Sequence, residues 1–239
     1  MNLLAKSLGT ITTAVALSLS WSQLAQAITI TSDATWSDPV GGLNINGEGT
    51  DTLAWGTGSP QSSYNFAGNG GILLDSDAID GAIFKLGTFT HNNFVIGGGS
   101  SILGATLNLN LDIANGAVFN QDFTFDFAHN ETPNTPPCDP MGATICPDVV
   151  SIPDATSSET VEIDGKTYNL KILGFSDTID GPKVNQFITE DGQANQTMLF
   201  AKLNDVSVPE PTSILGLFAL AGLGTTSALR KQKKAGLTK

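Results

Sequence analysis

The chain has 239 residues, enough for one domain with a substantial core, and carries 11 Lys+Arg against 23 Asp+Glu. Setting aside Lys6 and the tail cations Arg230, Lys231, Lys233, Lys234 and Lys239 leaves five lysines, and setting aside Glu210 leaves 22 acids, so residues 28–208 carry a net charge of −17. Such a surface repels phosphate backbones and anionic lipid, which excludes nucleic-acid binding, while an apolar content of 40% excludes a disordered chain.

The N-terminus has the layout of a secretory signal peptide. Lys6 precedes an apolar stretch from Leu8 to Leu19, and Ala25-Gln26-Ala27 supplies a small-residue cleavage site, with the cut expected after Ala27. An uncleaved anchor fits less well, because Ser18 and Ser20 interrupt the apolar run. Export implies signal peptidase as a partner, and residues 28–207 as the working domain.

From residue 28 to 66 the chain reads as short strands and turns. Ile28-Thr29-Ile30-Thr31 alternates, and Gly41-Gly42, Gly47-Glu48-Gly49 and Gly56-Thr57-Gly58 separate runs too short for helices. A further turn is expected at Gly68-Asn69-Gly70-Gly71, and Ile83–Phe89 follows as a strand. Ala105–Ile113 and Phe123–Phe127 alternate strictly between apolar and polar residues, the mark of strands with one buried and one hydrated face. His129–Thr160 is rich in Pro, Thr, Ser and Asp and reads as a long surface loop. Its two cysteines, Cys138 and Cys146, are expected to form one disulfide in an oxidising compartment. Val161–Ile172 is a hairpin turning at Asp164-Gly165, and Met198–Val206 is a last strand. No segment of residues 28–208 has helical periodicity. The expected fold is all-β, a single antiparallel jelly-roll-like β-sandwich, flanked by the signal helix and a short C-terminal hydrophobic helix.

Few residues suggest chemistry. The two histidines, His91 and His129, accompany no Gly-x-Ser-x-Gly elbow, and two histidines with paired cysteines fall short of a zinc ligand set. His91, at a strand end, is expected to satisfy a turn by hydrogen bonding. Aspartates are too numerous for any acid/base pair to stand out. No catalytic residue is assigned, and the protein is expected not to be an enzyme. Asp75, Asp77 and Asp80, in Asp75-Ser76-Asp77-Ala78-Ile79-Asp80-Gly81, form a candidate calcium site, the one cofactor considered. Ser176-Asp177-Thr178-Ile179-Asp180-Gly181 echoes the string, and both equally serve as Asp-Gly turns that need no metal, the preferred reading. Asn130-Glu131-Thr132 matches a glycosylation sequon. Trp36, Trp55 and Tyr64 are candidate sugar-stacking residues or core residues, and a calcium-assisted carbohydrate-binding module is the alternative function.

The C-terminus supplies the strongest pattern. Val208-Pro209-Glu210-Pro211, an apolar run from Ile214 to Leu229 and the cluster Arg230-Lys231-Gln232-Lys233-Lys234 resemble the PEP-CTERM protein-sorting signal of exported proteins. The resemblance implies recognition by an exosortase, cleavage near Pro-Glu-Pro, delivery to the cell envelope or outside, and an association with exopolysaccharide and biofilm matrix. An apolar helix of about 16 residues is about 24 Å long, short of the roughly 20 residues that span a bilayer comfortably. It suits a transient hold, with the basic cluster on the cytoplasmic side. In the middle, Phe84–Ile96 with the strands at Leu107–Ile113 and Phe123–Phe127 resembles a choice-of-anchor domain of the K type, departing from it at Phe94-Val95. That family implies no activity and transfers no catalytic residues. The expectation is an exported, non-enzymatic surface or matrix protein, membrane-bound only through its tail before processing.

Overall fold

Alternation of apolar and polar side chains dictates this architecture, because a pleated strand sends successive side chains to opposite faces. In a computed structural model, which describes residues 27–115, 117–132 and 146–207, twelve strands form two curled antiparallel six-stranded sheets. The expected signal helix, the sorting helix and Cys138 lie outside the described residues.

The strands are β1 (Ala27–Gly41), β2 (Thr52–Trp55), β3 (Ser62–Gly68), β4 (Ile72–Asp75), β5 (Ile83–Asn93) and β6 (Ile102–Asn115). They continue with β7 (Ala117–Asn130), β8 (Asp148–Ser151), β9 (Thr156–Ile163), β10 (Lys166–Ser176), β11 (Gln186–Thr189) and β12 (Gln193–Asp205). One sheet has the order β11-β8-β7-β6-β1-β4 and the other β2-β3-β5-β12-β10-β9. The alternating stretches pair as their patterns require: in β6 and β7, Leu109 stands opposite Phe123 and Leu107 opposite Phe125. Leu107, Leu109, Leu111 and Ile113 are all buried, as are Phe123, Phe125 and Phe127. The β9–β10 hairpin turns at Asp164 (φ 51°) and Gly165 (φ 74°), two successive left-handed residues as a tight two-residue hairpin needs.

Two expectations are corrected. Residues 28–41 are not a string of short pieces but part of one 15-residue strand, β1, whose inner face carries Ile28, Ile30, Ser32, Ala34 and Trp36, with its other polar residues on the outer face. Residues 129–160 are not all surface loop. β8 and most of β9 lie within them, and Asp148, Val150 and Ile152 alternate inward. Short edge-side strands carry too few residues for period-2 patterning to stand out among prolines and hydroxyl residues. β11 had no expectation at all.

The sheets meet through an aromatic cluster. Trp36 of β1 packs on Tyr64 at 5.2 Å, Phe89 at 6.0 Å and Phe127 at 5.2 Å between ring centroids. Phe89 and Phe127, from opposite sheets, lie 5.6 Å apart.

One irregularity decides what lies beyond that cluster. In β5, Phe84 and Leu86 face inward, but the inward set then continues at Gly87, Phe89, His91 and Asn93. The register against β12 shifts there: Leu199 pairs with Gly87 and Phe200 with Lys85. The extra residue is a β-bulge, and it reverses the facing of everything after it. Without it His91 and Asn93 would face solvent. Glycine is required at position 87 by close approach, since a Cβ there would meet Phe66 Cζ at 2.4 Å and the Ala67 carbonyl oxygen at 2.6 Å. Gly87→Ala is therefore expected to destabilise the protein by about 1–3 kcal/mol, the usual cost of overpacking a core. Leu73→Ala, at a side chain 73% exposed, should stay within about 0.5 kcal/mol. Urea titration of both variants checks the contrast.

Candidate functional site

At the end of the interior reached by the shifted half of β5, the core between the two sheets turns polar. His129 is the next inward position of β7 after Phe123, Phe125 and Phe127; Asp148 opens β8, and Thr189 closes β11 in the same sheet. The opposite sheet contributes Trp55 from β2, Tyr64 from β3, and His91 and Asn93 from β5. His91, Tyr64, Asn93, Asp148 and Thr189 all have 0% exposure, and the His129 side chain is likewise fully enclosed. The rings pack tightly: Trp55 stacks on His91 at 5.8 Å, and the two imidazoles meet edge to face at 5.2 Å.

The hydrogen bonds identify tautomers. Tyr64 Oη lies 2.6 Å from His129 Nδ1, and His129 Nε2 lies 3.3 Å from Glu131 Oε2 and 3.9 Å from Asp148 Oδ2. The assignment that uses every donor has Tyr64 donating to Nδ1 and His129 Nε2–H donating to Glu131. Thr189 Oγ1 lies 2.8 Å from His91 Nδ1 and donates to the Asp148 carbonyl oxygen at 3.4 Å. Its lone pair then accepts from His91 Nδ1–H, which leaves His91 Nε2 as a bare acceptor. Thr132 donates its backbone N–H to Asp148 Oδ1 at 2.8 Å. Among the described residues, no donor reaches His91 Nε2, Asp148 Oδ2 or Asn93 Oδ1 within hydrogen-bond distance.

Burial governs the electrostatics. Desolvation, with His129 close by, holds His91 well below its ordinary range, so its neutral form is favoured. Desolvation pushes the Asp148 carboxyl up to about 7, with Glu131 adding repulsion and the Thr132 N–H opposing the rise. Tyr64 is raised well above the phenol range by burial, then by Asp148 and Glu131. The cluster thus sits behind a surface pocket of about 320 Å³ lined by Ile96, Gly97, Gly98, Gly99, Ser101, Glu131 and Thr132. Glu131 and Thr132 line that pocket and bond directly to His129 and Asp148, so they form its inner wall.

Nothing in the amino-acid order alone brings this group together. His91 does not satisfy a turn, because its ring lies inside the sandwich. Two histidines and two cysteines fall short of a zinc ligand set by count, and Asp148 joins both imidazoles only through the pairing of the strands. One ligand atom each from His91, His129 and Asp148 lies within 4.8 Å of the others, a grouping of potential metal ligands found among the described residues. The inward alternation Phe123-x-Phe125-x-Phe127-x-His129 was the one available signal. Among the described residues, the side chains bonded to the two imidazoles are Tyr64, Glu131 and Thr189.

The residues singled out for other roles lie elsewhere. Asp75 caps a short 3₁₀ turn, accepting from Asp77 N–H at 3.0 Å, and Asp80 accepts from Asp205 N–H at 2.9 Å. In the echoing turn, Lys183 Nζ donates to the carbonyls of Ile179 (2.5 Å) and Gly181 (2.7 Å), so an internal ammonium occupies that oxygen-lined turn. Trp36, Trp55 and Tyr64 are core residues with 0% exposure, in line with the core reading preferred over a sugar-stacking platform. Cys146 is buried, whereas Cys138, Val208, Pro209, Glu210, Pro211, Arg230, Lys231, Lys233 and Lys234 lie outside the described residues. Among the described residues no helix is long and apolar enough to cross a membrane.

Tyr64→Phe removes the 2.6 Å bond and leaves His129 Nδ1 without its donor. It is expected to lower stability by about 1–3 kcal/mol, the cost of an unsatisfied buried polar group, measurable as a reduced urea midpoint with an unchanged slope. No curated protein matches the chain. Residues 207–232 match the PEP-CTERM protein-sorting motif, which lies outside the β-domain and implies an exported protein processed by an exosortase.

Proposed function

We propose that the protein is a non-enzymatic component of the cell surface or extracellular matrix, delivered as an acidic β-domain whose C-terminal segment is a removable address. The sorting motif at residues 207–232 carries this reading. The charge of residues 28–208, five lysines against 22 acids, supports it by keeping a released domain soluble. The histidines favour a structural over a catalytic role, since both rings are enclosed between the sheets and held by protein partners. A carbohydrate-binding role is the weaker reading: its aromatic platform is core, and two of the three carboxylates of its calcium site already accept backbone N–H bonds. Exopolysaccharide remains a partner class suggested by the sorting system rather than by any surface of the domain.

In this reading the mature C-terminus falls near Pro209–Pro211. Intact-mass measurement of the released protein is expected to find the segment through Lys239 missing, and replacing Pro209, Glu210 and Pro211 by alanine should keep the protein cell-associated with its tail attached. Retention of Lys239 on the released wild-type protein would overturn the processing step. Cys138 and Cys146 are proposed to pair during export, so thiol titration of the unfolded exported protein should detect no free thiol until a reductant is added.

A further inference from the structure

We propose that His91, His129 and Asp148 bind a divalent transition metal of the zinc type, with Glu131 at the pocket side of the site, and that the ion clamps the two sheets together at this end of the domain. The proposal is independent of the export reading, because it concerns the folded β-domain alone.

Three observations carry it. First, the ligand atoms are already gathered: one from each residue lies within 4.8 Å of the others, and all three side chains are buried. Zinc bonds of about 2.0–2.2 Å place tetrahedral ligand atoms about 3.4 Å apart, so closure by about an ångström of side-chain rotation completes the site. Second, two of the three residues present acceptors that no donor among the described residues reaches within hydrogen-bond distance, His91 Nε2 and Asp148 Oδ2, in an enclosed interior. Two such acceptors in one enclosed space are costly unless a proton or a cation serves them, and a bound metal ion serves both at once. Third, each imidazole is oriented by its other nitrogen, as ligating histidines are: Thr189 holds His91 Nδ1 at 2.8 Å and Tyr64 holds His129 Nδ1 at 2.6 Å.

The donor set selects the class of ion. Two imidazole nitrogens with a carboxylate suit zinc and its first-row neighbours, whereas calcium and magnesium call for oxygen ligands. Glu131, whose side chain is 24% exposed and 3.3 Å from His129 Nε2, is placed to supply a fourth ligand or to hold a water from the adjoining pocket. Ligation by His129 Nε2 moves its proton to Nδ1, and the 2.6 Å contact persists with its direction reversed, Nδ1–H donating to the Tyr64 oxygen. His129 and Asp148 belong to one sheet and His91 to the other, so an ion bound by all three joins the sheets.

The chain contains two histidines, so each imidazole is its own probe. The purified protein, stripped with chelator, would be titrated with zinc while elemental analysis after dialysis, thermal unfolding and ¹⁵N spectra of labelled histidine are recorded. The expected result is about one retained zinc per chain, displaced shifts for both imidazoles with the His129 proton on Nδ1, and a midpoint raised by about 5 °C or more once free zinc is roughly a hundredfold above its dissociation constant. Asp148→Asn keeps the side-chain shape but removes the anionic ligand, and is expected to lose the retained ion and the rise in midpoint. Retention by Asp148→Asn equal to wild type means adventitious binding by the acidic surface and overturns the proposal. Should that variant not fold, the wild-type spectra decide: imidazole signals unmoved by zinc overturn it, and signals moved in both rings support it.

Discussion

The aromatic contact between the sheets is the interaction on which the rest of the domain rests. Trp36 reaches across from β1 to Tyr64 and Phe89 while also packing on Phe127, so one indole touches both layers. Each large ring buries a large apolar area in a thin two-sheet core, and edge-to-face contacts add modest further attraction. With the separation of the layers set by these rings, the interior beyond them has a defined width. The histidines, Asp148 and Tyr64 occupy that space with their hydrogen bonds largely determined in advance.

The polar end exists because of a backbone irregularity. The bulge at Leu86-Gly87 turns β5 over, converting His91 and Asn93 from outward to inward residues. Close packing of Phe66 and the Ala67 carbonyl against position 87 permits glycine and little else. Stability and site geometry are thereby coupled: the same strand that buries Phe84, Leu86 and Phe89 delivers an imidazole to the cluster. Nearby, Trp55 and Tyr64 exclude water from the two rings, which strengthens every electrostatic term among them.

How far the site was legible follows from the same physics. The stripe of Phe123, Phe125 and Phe127 announces its strand, and extending the alternation by one step puts His129 inside. Asp148 and Thr189 carried no comparable signal, since both belong to four-residue strands amid polar or proline-rich chain. His91 was misplaced for a different reason. A bulge has no residue-type signature strong enough to announce a change of facing, and a single glycine in a strand permits several readings. The aspartate-rich turns drew attention as a cation site because their residue types are suitable, yet backbone N–H groups and Lys183 take up much of their oxygen capacity.

From the amino-acid order alone come the all-β class, the principal alternating strands, the Asp164-Gly165 hairpin and the sorting signal at the C-terminus. Each is written in local terms: a period of two, a turn dipeptide, or a short contiguous motif. Tertiary structure alone decided that Trp36, Trp55 and Tyr64 are core rather than surface, and that His91, His129 and Asp148 share one buried space. Those facts depend on strand order, on register and on one inserted residue, and His91, His129 and Asp148 lie 19 to 57 residues apart along the chain. Local pattern sets the alternation along a regular strand; bulges and the stacking of the two sheets decide which side chains then meet.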